Sequence, residues 1–116
     1  MALFRRGKDR PGTLRSSSSA DVDHLSAFIK TRVGVEAYLE PRTTVTDTTV
    51  VLVASSGEWT RRRVAGEGGA RDLARKHSIP IYEVAIMGYP KRMRDWTARR
   101  QAAGETGVPP RQYPTG

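Results

Sequence analysis

Three consecutive arginines beside a tryptophan form the first group of residues that could bind a polyanion. They are Arg61, Arg62 and Arg63, and Trp59 precedes them by two positions. Side chains alternate between the two faces of a β-strand, so Arg61 and Arg63 share a face with Trp59 and Arg62 points the other way. Two guanidinium groups flanking an indole can hold a phosphate backbone and stack on a base. The pattern is more typical of the charged outer face of an edge strand, which nearby glutamates could neutralise. These glutamates are Glu36, Glu40 and Glu58.

The segment from Met87 to Trp96 combines methionines, aromatic residues and basic residues within ten positions. Methionine and aromatic side chains are frequent interface anchors, and basic side chains around them suit an acidic protein groove or an RNA backbone. The alternative is a terminal helix whose Met93 and Trp96 fold back onto the domain. The candidate residues for binding nucleic acid or another partner are Trp59, Arg61, Arg63, Tyr89, Lys91, Arg92, Met93, Arg94, Trp96, Arg99 and Arg100.

A glycine-rich stretch, Gly66 to Gly69, precedes a predicted helix and raises the question of a phosphate-binding loop, because helix N-termini present free amides to anions. The stretch lacks the Lys-Ser/Thr pair of a nucleotide-binding loop, and Glu67 would repel an anion. The sequence favours a flexible connection between a strand and a helix.

The residues that most often carry catalysis are few. His24 and His77 fall in two different predicted helices, neither with a Ser or Cys and an acid at matched positions, and they are interpreted as partly buried. The sequence contains no cysteine, which removes disulfides, thiolate catalysis and the usual zinc sites. We therefore predict no catalytic residues, no metal, no cofactor and a reducing, cytoplasmic location. The longest apolar run, Val50 to Ala54, is too short for a membrane helix, so no membrane partner is expected.

Positive charge is concentrated at the two ends of the chain, whose 116 residues carry a net charge of +8. Residues 1–20 hold five basic side chains against one acidic, and residues 87–116 hold six against two. The segment 21–86 holds nine of each sign. Attraction to polyanions is therefore expected to be a property of the ends.

Hydrophobic spacing predicts the elements that position these residues. Apolar residues three and four apart after Asp21 indicate an amphipathic helix that carries Val22, Leu25, Phe28, Ile29 and Val33 on one face. Period-two or β-branched runs predict strands at 35–40, 44–54, 58–64 and 81–86, and a second helix covers 70–77. The alternation in the first strand predicts that its Glu36, Tyr38 and Glu40 side is the wet face. The right-handed crossover rule places the last strand parallel to the first.

The predicted fold is therefore a single α+β domain of order α-β-β-β-α-β, with a four-stranded mixed sheet ordered 3-2-1-4 and two helices. A short basic C-terminal helix follows the domain. The proposed boundaries are a disordered basic arm at 1–20, the compact domain at 21–88, the basic helix at 89–103 and a disordered tail at 104–116.

The stretch from His24 to Trp96 resembles short uncharacterised proteins of high-GC Gram-positive (actinobacterial) genomes. The resemblance is carried mainly by the segments 32–38, 57–63 and 88–93. Some of those proteins bear a generic oxidoreductase label, but this sequence has no cysteine pair and no dinucleotide fingerprint to support that activity.

The element order is similar to that of two known folds. Double-stranded-RNA-binding domains share α-β-β-β-α, but they place lysines where this chain has Gly69-Ala70-Arg71-Asp72. Restriction-endonuclease-like nucleases share the full α-β-β-β-α-β order. Asp47 could occupy their first acidic position, while Glu58-Trp59-Thr60 lacks the lysine of the second.

Three functional hypotheses follow from the sequence. The first is a non-catalytic accessory protein whose basic terminal segments contact an acidic partner, most readily RNA or DNA. The second is a protein-protein adaptor anchored by Tyr89, Met93 and Trp96 on an acidic protein. The third is an enzyme, either the oxidoreductase of the similar proteins or a degenerate nuclease.

Overall fold

The computed structural model describes residues 19–105. It contains four helices and four strands, in the chain order α1 Ser19–Thr31, β1 Glu36–Glu40, β2 Thr49–Val53, β3 Trp59–Arg63, α2 Gly66–Lys76, β4 Ile81–Glu83, α3 Val84–Met87 and α4 Lys91–Ala102. Most of the predicted arm at 1–20 and of the predicted tail at 104–116 lies outside the described residues. No helix in the described part is long and apolar enough to cross a membrane.

The strands form one mixed sheet in the order β3-β2-β1-β4, as predicted. β2 lies antiparallel to both β1 and β3, and β4 lies parallel to β1. The apolar run of β2 occupies the interior of the sheet, and Val50 to Val53 are completely buried. A strand buried on both faces needs cover on both sides, so the sheet must be the middle layer.

Helices α1 and α2 cover the first face of the sheet. Leu25 and Phe28 of α1 and Leu73 of α2 pack against side chains of β1 and β2 on this face. The predicted apolar face of α1 is wider than the observed one, because Val22 is 41 % exposed and Val33 is 78 % exposed. Val33 follows the last residue of the helix, so helical spacing does not direct it toward the core.

Helix α4 covers the second face, which the period-two pattern of the first strand had suggested would be wet. Met93 is buried in a cluster with Tyr38, Val51, Val53 and Trp59, and the partly buried Trp96 packs against it. The domain thus has three layers, with α4 as the third. The folded-back arrangement of the C-terminal helix is the one that the structure shows.

The second strand begins five residues later than the sequence predicted. β1 ends at Glu40, before Pro41, so residues 44–48 have no strand beside them to pair with. The Thr43 hydroxyl instead accepts hydrogen bonds from the backbone N–H groups of Val45 (3.2 Å) and Thr46 (3.0 Å). Such local side-chain bonds compete with a sheet ladder and favour a turn.

Two further boundaries differ from the prediction. The strand expected at 81–86 ends at Glu83, and the apolar residues after it form the short helix α3. α2 begins at Gly66 rather than near Ala70, so the glycine-rich stretch is the first turn of the helix and not a flexible connection. At β4 a run of uniform apolar composition conceals a change of backbone conformation, and at α2 a change of composition conceals a continuous helix.

Candidate polyanion-binding surface

Trp59 and Met93, two of the predicted binding residues, lie in the interior beneath α4. Trp59 is 8 % exposed and Met93 is 7 % exposed. The Trp59 Nε1–H donates a hydrogen bond to the Thr97 hydroxyl at 3.0 Å, and the Arg61 guanidinium lies 5.3 Å from the indole centroid. The indole N–H is therefore already hydrogen-bonded, and the ring is already in contact with a guanidinium. Trp59 presents no free face on which a base could stack.

The Glu40 carboxylate, at the end of β1, accepts all the hydrogen bonds of the first polar cluster under α4. Arg61 donates to the two oxygens of Glu40 at 2.8 and 2.9 Å, Thr49 donates at 2.6 Å, and the Tyr89 hydroxyl donates as well. Burial alone would raise the pKa of Glu40, but these hydrogen bonds outweigh it and hold the pKa below its usual value. Burial and the bond to Glu40 raise the pKa of Tyr89. Arg61 and Tyr89 thus both bind Glu40, although the Arg61 side chain stays partly exposed.

A second cluster of the same composition lies at the other end of β1. Arg92 and the Tyr38 hydroxyl donate to the same Glu36 oxygen at 2.8 and 2.9 Å. Burial, and then the bond to Glu36, raises the pKa of Tyr38 to about 12. Arg92 also donates from Nε to the Ala54 carbonyl oxygen at 3.0 Å. Arg92 therefore ties the start of α4 to the sheet instead of facing a partner.

The other two arginines of β3 are each near an aspartate. Arg62 lies 3.6 Å from Asp21 and Arg63 lies 3.9 Å from Asp47. Arg61 and Arg63 share the α4 side of the sheet, as the strand alternation requires. The neutralising carboxylate at Arg61 is Glu40, as expected, whereas Glu36 pairs with Arg92 instead.

The outward-facing part of α4 retains two arginines that bind only carbonyl oxygens. Arg94 donates to the Tyr89 carbonyl at 2.6 Å, and Arg99 donates to the Ser56 carbonyl at 3.3 Å. Both are exposed, and neither has a carboxylate within 4.0 Å among residues 19–105. We call Arg94 and Arg99 the α4 arginine pair.

The remaining basic residues of α4 have acidic partners on or just beyond the helix. Lys91 lies 2.8 Å from Asp95, and Arg100 lies 3.3 Å from Glu105. The Arg100 guanidinium is also 4.8 Å from the centroid of the Trp96 ring. These contacts reduce the net charge that Lys91 and Arg100 add to the outer surface.

A buried histidine is the titratable group that links α1 to β3. His24 is 4 % exposed, and its Nε2 lies 2.6 Å from the Thr60 hydroxyl. Burial, then the charges of Arg62 and Arg32, lower the pKa of His24 to about 4, and Asp21 opposes this only weakly. The sequence predicted a partly buried helix histidine here, but its partner on the third strand could not be found from local spacing.

The depressed pKa of His24 predicts a loss of stability in weak acid. An unfolded histidine has a pKa near 6.5, so the unfolded state binds a proton first as the pH falls, and the stability present above that pKa is lost on the way to pH 4. The expected cost is about 2 kcal/mol between about pH 8 and about pH 5. Urea unfolding at several pH values measures it. The H24Q variant should lack this component, and an equal loss of stability in H24Q would contradict the assignment.

The positions that could imitate a nuclease site are separate in the structure. Asp47 lies in the loop before β2 beside Arg63, while the Glu58 carboxylate is held by Arg32 at 2.7 Å. Within residues 19–105, no three His, Asp or Glu side chains are grouped so that they could hold a metal ion.

Of the eleven predicted binding residues, the structure brings most together where α4 meets the sheet, and there they bind residues of this chain. Sequence reasoning missed that α4 would use the glutamates of β1 as partners, although the Glu36 and Glu40 positions on the wet face of the first strand were a usable signal. The resemblance to actinobacterial proteins stays a prediction, because comparisons with protein-family models, with curated proteins and with solved structures found no match for this chain.

Proposed function

We propose that this protein is a non-catalytic accessory protein that binds a polyanion, and nucleic acid in particular, through the α4 arginine pair and the basic terminal segments. The observation that carries the proposal is the exposure of Arg94 and Arg99 without a carboxylate partner in residues 19–105. Their donors bind only carbonyl oxygens, and the charge of the nearby Asp95 is shared with its closer partner Lys91. Guanidinium groups suit bidentate contacts with phosphate.

The distribution of charge supports the same surface. The described residues hold 14 basic and 11 acidic side chains, whereas residues 1–18 hold five basic and one acidic. Residues 106–116, which follow α4, add Arg111 and no acidic side chain. A weakly charged domain with cationic ends favours binding by long-range attraction to a phosphate backbone, rather than binding in a deep, specific pocket.

The proposed contact is to the backbone of the nucleic acid and is tolerant of sequence. Base recognition needs aromatic platforms or side chains aimed at base edges, and Trp59 is enclosed beneath α4. The cysteine-free sequence agrees with action in a reducing cytoplasm.

The R94Q/R99Q double variant tests the proposal directly. We expect weaker binding to single-stranded RNA and to duplex DNA, because two phosphate contacts are lost. The slope of log K against log salt should fall by about 1.5 to 2. Fluorescence anisotropy titrations with labelled oligonucleotides at several salt concentrations measure both quantities.

The matched control is K30Q/K76Q, which also removes two exposed, carboxylate-free charges, but from the opposite side of the sheet. It should change the affinity far less than R94Q/R99Q. Equal losses in the two double variants would mean that only net charge matters, and this would contradict a role for the α4 arginine pair. Absence of binding by the wild-type chain at low salt would overturn the function itself.

The protein-protein adaptor hypothesis requires that the anchor side chains of Tyr89, Met93 and Trp96 are exposed to solvent. Met93 is buried, Trp96 packs against its cluster and the Tyr89 hydroxyl is bonded to Glu40. These three side chains could anchor a protein partner only if α4 left the sheet, so the arrangement favours the polyanion hypothesis.

A further inference from the structure

A short apolar helix is left exposed next to one edge of the sheet. α3 consists of Val84, Ala85, Ile86 and Met87, and none of its residues is buried. Ile86 is 76 % exposed and Met87 is 62 % exposed. Adjacent large apolar side chains in this position are unusual on a monomer surface and typically mark a contact with another chain.

The two edges of the sheet differ in how they are protected. The edge strand β3 carries Arg61, Arg62 and Arg63, and such charges discourage pairing with another chain. The opposite edge strand, β4, reads Ile81-Tyr82-Glu83 and continues directly into α3. Among the described strands β4 pairs only with β1, so its outer side has no strand beside it.

The backbone of β4 offers hydrogen-bonding groups toward that open side. The Ala37 N–H donates to the Pro80 carbonyl at 2.9 Å, and Ala37 is in register with Ile81. In a parallel ladder with this register, Tyr82 directs its N–H and C=O toward β1, and Ile81 and Glu83 direct theirs outward. Ile81 therefore directs an N–H and a C=O toward the open side and Glu83 directs its N–H there, while the Glu83 carbonyl serves α3 as the helix N-cap.

We propose that the β4 edge pairs with the β4 edge of a second copy of this chain, antiparallel and centred on Tyr82. In this register Ile81 of each copy lies opposite Glu83 of the other, and the Glu83 N–H of each copy donates to the Ile81 carbonyl of the other. The two Glu83 carboxylates lie at opposite ends of the new ladder, so no like charges face each other.

The side chains around the dyad fit this register. The Tyr82 ring already lies 5.4 Å from the Tyr38 ring in one copy. A two-fold axis at Tyr82 brings the two Tyr82 rings side by side, which extends this pair into a row of four aromatic residues, and cross-strand aromatic pairs are favourable. Antiparallel pairing also places α3 of one copy beside the exposed Pro80 of the other, so apolar surface covers apolar surface.

The charge near this edge favours a second copy over an acidic or basic partner. Arg71 binds Glu67 at 2.8 Å and Glu83 at 3.0 Å, so the charges beside β4 are largely satisfied within the chain. Arg42 lines the same cavity as Glu67 and Glu83, so two basic and two acidic side chains lie beside this edge. A patch that is apolar in the middle and charge-balanced at its rim is complementary to itself.

Single-cysteine cross-linking tests the register. The natural sequence has no cysteine, so Y82C carries the only thiol. Facing residues of a non-hydrogen-bonded antiparallel pair have Cα atoms about 4.5 Å apart, which a disulfide spans. Under mild oxidation Y82C should form a covalent dimer quickly. V33C, which places a thiol at a more exposed site on another surface, should remain mostly monomeric. Equal cross-linking rates in the two variants would overturn the proposed register.

Sedimentation equilibrium of the cysteine-free chain tests the association itself. We expect a concentration-dependent monomer–dimer equilibrium for the wild type. M87E should shift it at least tenfold toward monomer, and V33E should leave it unchanged. Circular dichroism confirms that each variant is folded. A wild-type chain that stays monomeric up to millimolar concentration, or an M87E variant that dimerises as the wild type does, would refute the proposal.

Discussion

Removal of residues 88–116 is expected to abolish cooperative unfolding of the domain. This truncation deletes α4 and uncovers the second face of the sheet, where Tyr38, Val51, Val53 and Trp59 are buried. Loss of the Met93 and Trp96 packing alone costs about 4 kcal/mol, a large part of the 5 to 15 kcal/mol that stabilises a typical domain. Thermal or urea unfolding followed by near-ultraviolet circular dichroism measures the effect.

A chain that ends at Glu105 is the control for this truncation. It keeps α4 and the Arg100–Glu105 contact, so its unfolding should remain cooperative, with a midpoint close to that of the full chain. A stable, cooperative domain without residues 88–116 would show that α4 is an appendage rather than a layer. Binding to a partner should therefore be tested with the R94Q/R99Q variant. Truncation at residue 88 would disturb both the fold and the binding surface.

Gly57→Val is expected to displace α4 from the turn between β2 and β3. Gly57 has a φ of +97°, and a Cβ built there would lie 2.2 Å from the Arg92 carbonyl oxygen and 2.9 Å from the Trp96 Cβ. Both the left-handed backbone and the close approach of a helix exclude a side chain at this position. We expect a loss of about 3 kcal/mol in the free energy of unfolding.

Gly68→Ala is the matched control for Gly57→Val. Gly68 lies in the first turn of α2, and a Cβ there would have no atom within 4 Å outside its immediate neighbours and its own helix backbone. Alanine stabilises a helix relative to glycine, so the variant should gain up to about 1 kcal/mol. If Gly57→Val left urea unfolding unchanged, the close packing of α4 on this turn would be refuted.

The order of elements and the sheet topology followed from the sequence because they depend on local period and on chain connectivity. The switch from helical spacing to alternation near Val35 located the first strand, and the helix before Ile81 required a parallel pairing. The strand boundaries that were predicted wrongly depend on which strands lie alongside in the sheet. Residues 44–48 have strand-like composition, but β1 has already ended beside them, and a Thr43 turn takes their place.

The candidate site was harder to predict because surface exposure is decided by tertiary contacts. Arg61, Arg92 and Tyr89 have the residue types of a binding surface, and the same types serve equally well to bury two glutamates under a helix. A pattern along the chain cannot distinguish an arginine that faces a phosphate from one that faces Glu40. Arg94 and Arg99 stayed exposed because their helical positions flank the outward side of α4.

The unequal protection of the two sheet edges limits how far assembly can proceed. Sheets that grow into fibres need an acceptor strand on both sides, so that each added molecule creates a place for the next. Here the β3 edge carries three ion-paired arginines, which a further strand would have to desolvate, and the β4 edge is consumed when two molecules join. An isologous contact of this kind terminates at two subunits, and the guanidinium row acts as a stop to polymerisation.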